Sequence, residues 1–306
     1  MFIEQAYKGA TEGWKYILGV ITVFIGWQFV GSLPLIGAIV VKSMGTGTFP
    51  TEIGEMAALL GSNPFLLLLI FSFFVGLLTL FFWYIKVHGL KFLDFTTTRK
   101  KVDYGRIGFG FLVFFILTVS VTALSYFSAP ENFQWNFDPT KFFILCLIVI
   151  PLLPLQTSFE EYFLRAYMMQ GLGVITKNRW VPLFFTSILF GLMHIFNPEV
   201  EELGYIVMVY YIGTGFLLGI MTLMDEGLEL ALGCHAGNNV VTALLVTSDW
   251  TALQTDSILI DISEPKVGIE IFFPIILYAI ILLVMARKYK WRNWKDKLFG
   301  KVVKPA

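Results

Sequence analysis

The sequence is short of charge, short of cysteine and short of any soluble-looking interval. Charged residues make up only 14% of 306 residues, against 57% hydrophobic ones. That balance excludes an ordinary water-soluble domain. With 22 basic and 22 acidic residues the formal net charge is zero, so no global field points to nucleic acid. Cys146 and Cys234 are the only cysteines, and both fall inside apolar blocks. A disulfide framework and a cysteine-rich metal site are therefore excluded. No internal repeat, soluble linker or low-complexity tract interrupts the chain. Strict apolar/polar alternation is missing too, which argues against a transmembrane β-barrel.

What remains is long apolar runs. A hydrocarbon core of ~30 Å needs roughly 20 residues of helix, and eight blocks approach that length: about 14–41, 65–87, 106–127, 141–172, 181–196, 205–224, 228–246 and 269–286. The expected fold class is an all-α polytopic membrane protein of about eight transmembrane helices, as a single domain over 1–306 with a basic cytoplasmic tail at 287–306. The first block is too long for a signal-peptide core and is read as a retained span.

Basic residues collect on cytoplasmic loops. The loop after the second block carries Lys86, Lys91, Arg99, Lys100, Lys101 and Arg106, and the tail carries six more between Arg287 and Lys297. The alternate loops are acidic or nearly free of basic residues. Eight crossings place both termini in the cytoplasm, with only the turn at Asp225 and Glu226 arguing against its assigned side. The same parity requires the long fourth block to be one helix bent at Pro151 and Pro154 and ending at Gly171 or Gly173. Gly215 and Gly219 have the spacing that lets membrane helices pack closely.

Ionisable groups inside such blocks cost on the order of 2.5 to 3.5 kcal/mol each on insertion scales and are functional candidates by default. Glu160, Glu161 and Arg165 lie in the fourth block. Glu161 and Arg165 are four apart and can pair, whereas Glu160 points about 100° away and is left for chemistry. His194 follows Phe190 by four in the fifth block; His235 and Asn239 are four apart in the seventh. A rise of ~1.5 Å per residue from the cytoplasmic helix ends puts Glu160 at about 18 Å, His194 at about 20 Å and Asn239 at about 18 Å. These depths allow one constellation near the midplane.

A tuned carboxylate and an imidazole can activate water, and an amide NH2 with an imidazole NH can receive an oxyanion. Glu160 with His194, and Asn239 with His235, fit those two roles. The resulting chemistry is peptide hydrolysis without a covalent intermediate. A His2Glu zinc site is the alternative; the metal-free version is preferred, so no cofactor is expected. The ordered set Glu160-Glu161-x-x-x-Arg165, Phe190-x-x-x-His194 and His235-x-x-x-Asn239 resembles the CAAX protease and bacteriocin-processing family, the Rce1-like or ABI intramembrane glutamyl endopeptidases. The resemblance covers roughly 141–246, and the first three spans match only in being membrane helices. It implies a cavity open to the cytoplasm, water activated by Glu160 and His194, and an oxyanion hole of His235 and Asn239. Glu161, Arg165 and Phe190 are supporting residues. The expected partners are the lipid bilayer and a membrane-associated peptide or protein substrate, a lipidated one included, with no nucleic acid; the expected location is a bacterial inner membrane. Signatures of other intramembrane proteases (His-Glu-x-x-His, Gly-x-Ser-Gly, Gly-x-Gly-Asp) are absent. Rival readings are a proton-coupled transporter and a non-catalytic immunity or scaffold protein.

Overall fold

A computed structural model describes residues 1–305. In chain order its helices are α1 (Gly13–Phe24), α2 (Leu33–Thr46), α3 (Ile53–Leu60), α4 (Ser62–Lys86), α5 (Phe92–Thr96), α6 (Tyr104–Ser128), α7 (Pro139–Glu161), α8 (Met169–Thr176), α9 (Trp180–Leu192), α10 (Pro198–Leu203), α11 (Met208–Asp225), α12 (Glu229–Leu245), α13 (Phe273–Lys288) and α14 (Trp294–Phe299). Three short strands, β1 (Phe133–Trp135), β2 (Val246–Thr247) and β3 (Leu259–Asp261), form a sheet in the order β1-β3-β2, with β1 antiparallel and β2 parallel to β3. This small sheet is an addition to the expected all-α architecture and ties two interhelical loops together at one end of the bundle.

Five helical stretches are long and apolar enough to cross a membrane: Gly13–Gly45, Ser62–Lys86, Tyr104–Ser128, Pro139–Thr176 and Tyr205–Asp225. The expected count of eight is thus not reproduced by length and composition. The remaining three blocks form the shorter helices α9, α12 and α13, of 13, 17 and 16 residues. In α9 the helix stops at Leu192 although the apolar block runs on, because the chain turns there and Asn197-Pro198 opens the next helix.

The fourth block is one continuous helix from Pro139 to Thr176, as parity requires, and it runs past both glycines proposed as its end. Asp138 caps it by accepting from the backbone NH groups of Thr140 and Lys141, with Pro139 in the first turn, where its missing NH is not needed. Immediately after Glu161 the helix widens into π geometry over Tyr162–Met168, a feature that often marks functional sites. The first block has a similar π segment at Ile25–Val30. From it Trp27 packs against Phe159 and Phe73, with ring centroids 5.1 Å apart in each case.

Glycine allows close helix approach. A Cβ at Gly215 would lie 2.5 Å from the Ser187 carbonyl oxygen of α9, and one at Gly233 would lie 2.0 Å from the Ile107 carbonyl oxygen of α6. The small-residue spacing read at Gly215 therefore does seat α9 against α11.

The two ends of the bundle differ in charge. At one end both termini are lashed to the loops: Arg179 binds Glu4 at 2.5 Å, Phe2 NH donates to Glu226, and Val302 NH donates to the Lys177 carbonyl. Arg99 bridges Asp225 at 2.7 Å and Glu229 at 3.0 Å, Arg106 also pairs with Asp225, and Lys297 lies 3.3 Å from Glu226. Asp225 and Glu226, the acids that disagreed with their assigned side, are the counter-charges of this basic cluster. The other end holds the sheet and the acidic loops, where Asn136 donates to Ser257 and the Ala252 NH donates to Glu199.

Candidate active site

Glu160, His194, His235 and Asn239 all line one cavity of about 660 Å³, within the range of small-ligand sites. Three elements deliver them: the end of α7, the turn after α9, and α12. Glu160 is 5% exposed. One turn earlier on the same helix, Gln156 donates to its Oε1. Its Oε2 has no hydrogen-bond partner among the described residues and sits 3.7 Å from His235 Nε2. A buried carboxylate oxygen without a partner is costly unless a ligand or water completes it.

His235 reaches the other way as well. Its Nδ1 lies 2.8 Å from Glu161 Oε1, and Arg165 donates to that same oxygen at 3.2 Å. Glu161 and Arg165 are fully buried. The Arg165 guanidinium also donates to the Gly215 carbonyl at 3.4 Å and lies 4.3 Å from the centre of the Phe190 ring. The three supporting residues thus form one unit behind His235. Phe190 is edge-on to His235, at 5.7 Å between ring centroids.

His194 is half-buried, and its Nδ1 lies 2.7 Å from the Phe190 carbonyl, which can only accept. Nδ1 therefore carries the hydrogen, and Nε2 of the neutral ring is an acceptor. On its far side the ring stacks on Tyr211 at 4.3 Å and 20°. Asn239 Oδ1 accepts from Asn238 Nδ2 at 3.0 Å, so the group left outside that bond is the Asn239 NH2.

Several lining residues were not singled out from the sequence. Tyr211 bonds Glu199 through its hydroxyl, and Asn197 Nδ2 donates to both, at 3.0 Å to Glu199 and 3.2 Å to Tyr211. Glu199 in addition receives the Ala252 NH at 2.9 Å. In the sequence Glu199 is one acid of an acidic loop and Tyr211 one aromatic in an apolar run. Gln156, a polar residue four before Glu160 in an apolar helix, carried a signal in its spacing. No three His, Cys, Asp or Glu side chains are placed to share a metal ion among the described residues.

The cavity opens away from the termini. Its lining takes in Ile53, Asn197, Glu199, residues 246–248 and 250–253 and Asp261, all at the acidic end, and, among the described residues, none of the basic-end loops or of either terminal segment. The sequence reading placed cavity and termini on the same, cytoplasmic side. In the structure they lie at opposite ends, because helical rise fixes depth but not which end of the bundle is open.

A multi-pass bundle of apolar helices enclosing a cavity with a buried carboxylate, two imidazoles and a carboxamide defines a helical membrane protein with a polar interior site. Residues 137–241 match the family model described as type II CAAX prenyl endopeptidase Rce1-like. Over 205 residues the chain is 31% identical to the uncharacterized protein YyaK of Bacillus subtilis (strain 168), a stretch spanning 66% of this chain and 66% of YyaK. The chain belongs to the Rce1-like family, a family of proteases. No solved structure matches it.

Proposed function

We propose that this protein is an intramembrane endopeptidase that hydrolyses a peptide bond of a membrane-associated peptide or protein, using water activated by Glu160 and His194 and no metal. The observation that carries the reading is Glu160, a buried carboxylate that lines the same cavity as both imidazoles and Asn239 and whose Oε2 has no hydrogen-bond partner among the described residues.

Water held by His194 Nε2 loses a proton to Glu160 and attacks the scissile carbonyl. The oxyanion is received by the Asn239 NH2 and by His235 Nε2. Since Nδ1 of His235 faces Glu161, a donor at Nε2 requires a ring with hydrogens on both nitrogens. A carboxylate oxygen opposite each nitrogen suits that form. Collapse of the intermediate breaks the C–N bond, and Glu160 returns the proton to the leaving amine.

The topology that fits this reading has eight crossings, the three short helices included, with both termini at the cytoplasmic face of a bacterial inner membrane. The cavity mouth then faces outward. Comparing peptide termini in membranes from cells carrying the wild type or Glu160→Gln tests the activity. At least one terminus should vanish in the variant while the protein accumulates normally; an unchanged set of termini sinks the protease reading. A thiol reagent that does not cross membranes should label a cysteine introduced at Glu264 from outside, and one introduced at Lys290 only after lysis.

A further inference from the structure

The cavity carries Glu160, Glu199 and Asp261 but no lysine or arginine among its described lining residues. Its remaining wall is mainly apolar and aromatic, including Trp27, Phe73 and Ile70. The loops around its mouth (47–61, 129–138, 193–204 and 246–268) hold eleven carboxylates and a single lysine, Lys266, with Lys42 and Lys141 on adjoining helix ends. The opposite end, in 1–12, 87–103, 177–179, 226–228 and 289–305, holds thirteen lysines and arginines against six carboxylates.

A low-dielectric cavity with three carboxylates and no lysine or arginine among its described lining residues attracts positive charge and repels anions, because charge pairs a few ångström apart are weakly screened there. Beyond His235 and the Asn239 amide, which the oxyanion occupies, no described lining group offers the positive charge that a free carboxylate or a phosphate would need on entering. Glu199 strengthens the argument by its placing. Through Tyr211 it adjoins His194, and through the Ala252 NH it holds the loop at the mouth.

Building on the proteolytic reading of this cavity, we infer that its substrate is an internal, apolar peptide segment flanked by lysine or arginine, recognised without a free C-terminal carboxylate. The apolar stretch lies along the Trp27, Phe73 and Ile70 wall, and the flanking cation sits between Glu199 and Asp261 at the mouth. The scissile carbonyl then reaches Glu160 and His194 with neither chain end inside.

The test uses the full-length protein in nanodiscs of zwitterionic lipid and fluorescent apolar peptides blocked at both ends, identical except for flanking pairs of Lys, Gln or Glu. A fourth peptide has Gln flanks and a free C-terminal carboxylate. Binding is read by anisotropy. The Lys-flanked peptide is expected to bind about tenfold tighter than the Glu-flanked one at low salt, with the gap closing as ionic strength rises. Asp261→Asn, which keeps the Oδ1 acceptor for the Ser263 NH, should narrow the gap, while Glu264→Gln, outside the cavity lining, should leave it unchanged. Equal binding, a preference for Glu flanks or for the free carboxylate, or no binding by any peptide overturns the inference. Cleavage of the same peptides is scored separately with Glu160→Gln. Lys-selective binding without Glu160-dependent cleavage would sink the protease and keep the substrate preference, and carboxylate-selective cleavage would do the reverse.

Discussion

Nδ1 of His235 and the guanidinium of Arg165 converge on one oxygen of Glu161, at 2.8 and 3.2 Å. Glu161 therefore positions an imidazole, which is more than the plain ion pair its spacing first indicated. Removing one member of a buried pair leaves an uncompensated charge. Arg165→Met is expected to lose about 3 to 5 kcal/mol of stability, and the double variant Glu161→Leu/Arg165→Met to regain much of it. Thermal unfolding in detergent checks this, and the double variant, with His235 unanchored, should fold but lack activity.

Tyr211 should act on rate through His194. Tyr211→Phe keeps the stacked ring and loses only the hydroxyl's bonds to Glu199 and Asn197, whereas Tyr211→Leu loses the stack as well. A misplaced group that holds the attacking water lowers the chemical step more than binding. The expected outcome is a kcat roughly tenfold lower for Leu, with KM little changed and Phe near the wild type. Equal loss in both variants would locate the effect in the hydroxyl's bonds to Glu199 and Asn197.

Gly233 has no room for a methyl group, since its Cβ would meet backbone oxygen of α6 at 2.0 Å. Gly233→Ala must push α12 off α6, at a cost of about 1 to 3 kcal/mol or more. A lowered melting temperature is the readout. Because α12 carries His235 and Asn239, activity should fall further than stability alone explains.

His88, outside the spans, lies between the Ala10 carbonyl (2.7 Å) and the Tyr167 hydroxyl (3.1 Å). Burial, reinforced by the Lys15 charge, holds its pKa below the ordinary imidazole value. The unfolded chain then binds a proton at higher pH than the folded one, so stability is full above about pH 6.5 and declines as the pH falls below it. Melting curves between pH 8 and 5 should show a steeper acid loss for the wild type than for His88→Gln.

That Glu160, His194, His235 and Asn239 share one cavity could be anticipated because each is a polar intrusion into an apolar block, where accident is costly. The unity of the fourth helix was legible from charge parity. Glu199 and Tyr211 were not, since an acid in a loop reads as solvated and a tyrosine in an apolar run reads as packing; only the fold brings them to His194. The length of α9 was misjudged for a related reason: hydropathy continues to Phe196, while the backbone turns at Met193 and sets the His194 ring against the Phe190 carbonyl. Which end of the bundle the cavity reaches escaped as well, since depth counted from the basic ends assumed that those ends were open.

The π segment at Tyr162–Met168 amounts to one residue too many for a straight α-helix. Upstream of it the helix presents Glu160 to the cavity; downstream it plants Gln170 against Tyr84 and the Phe2 carbonyl. With that surplus residue deleted, an ordinary helix could keep one of these appointments but not both, for the two halves would be rotated by about 100° relative to each other. A single-codon deletion in this stretch would thus spare composition, hydropathy and length almost entirely and yet divorce the carboxylate from its anchorage.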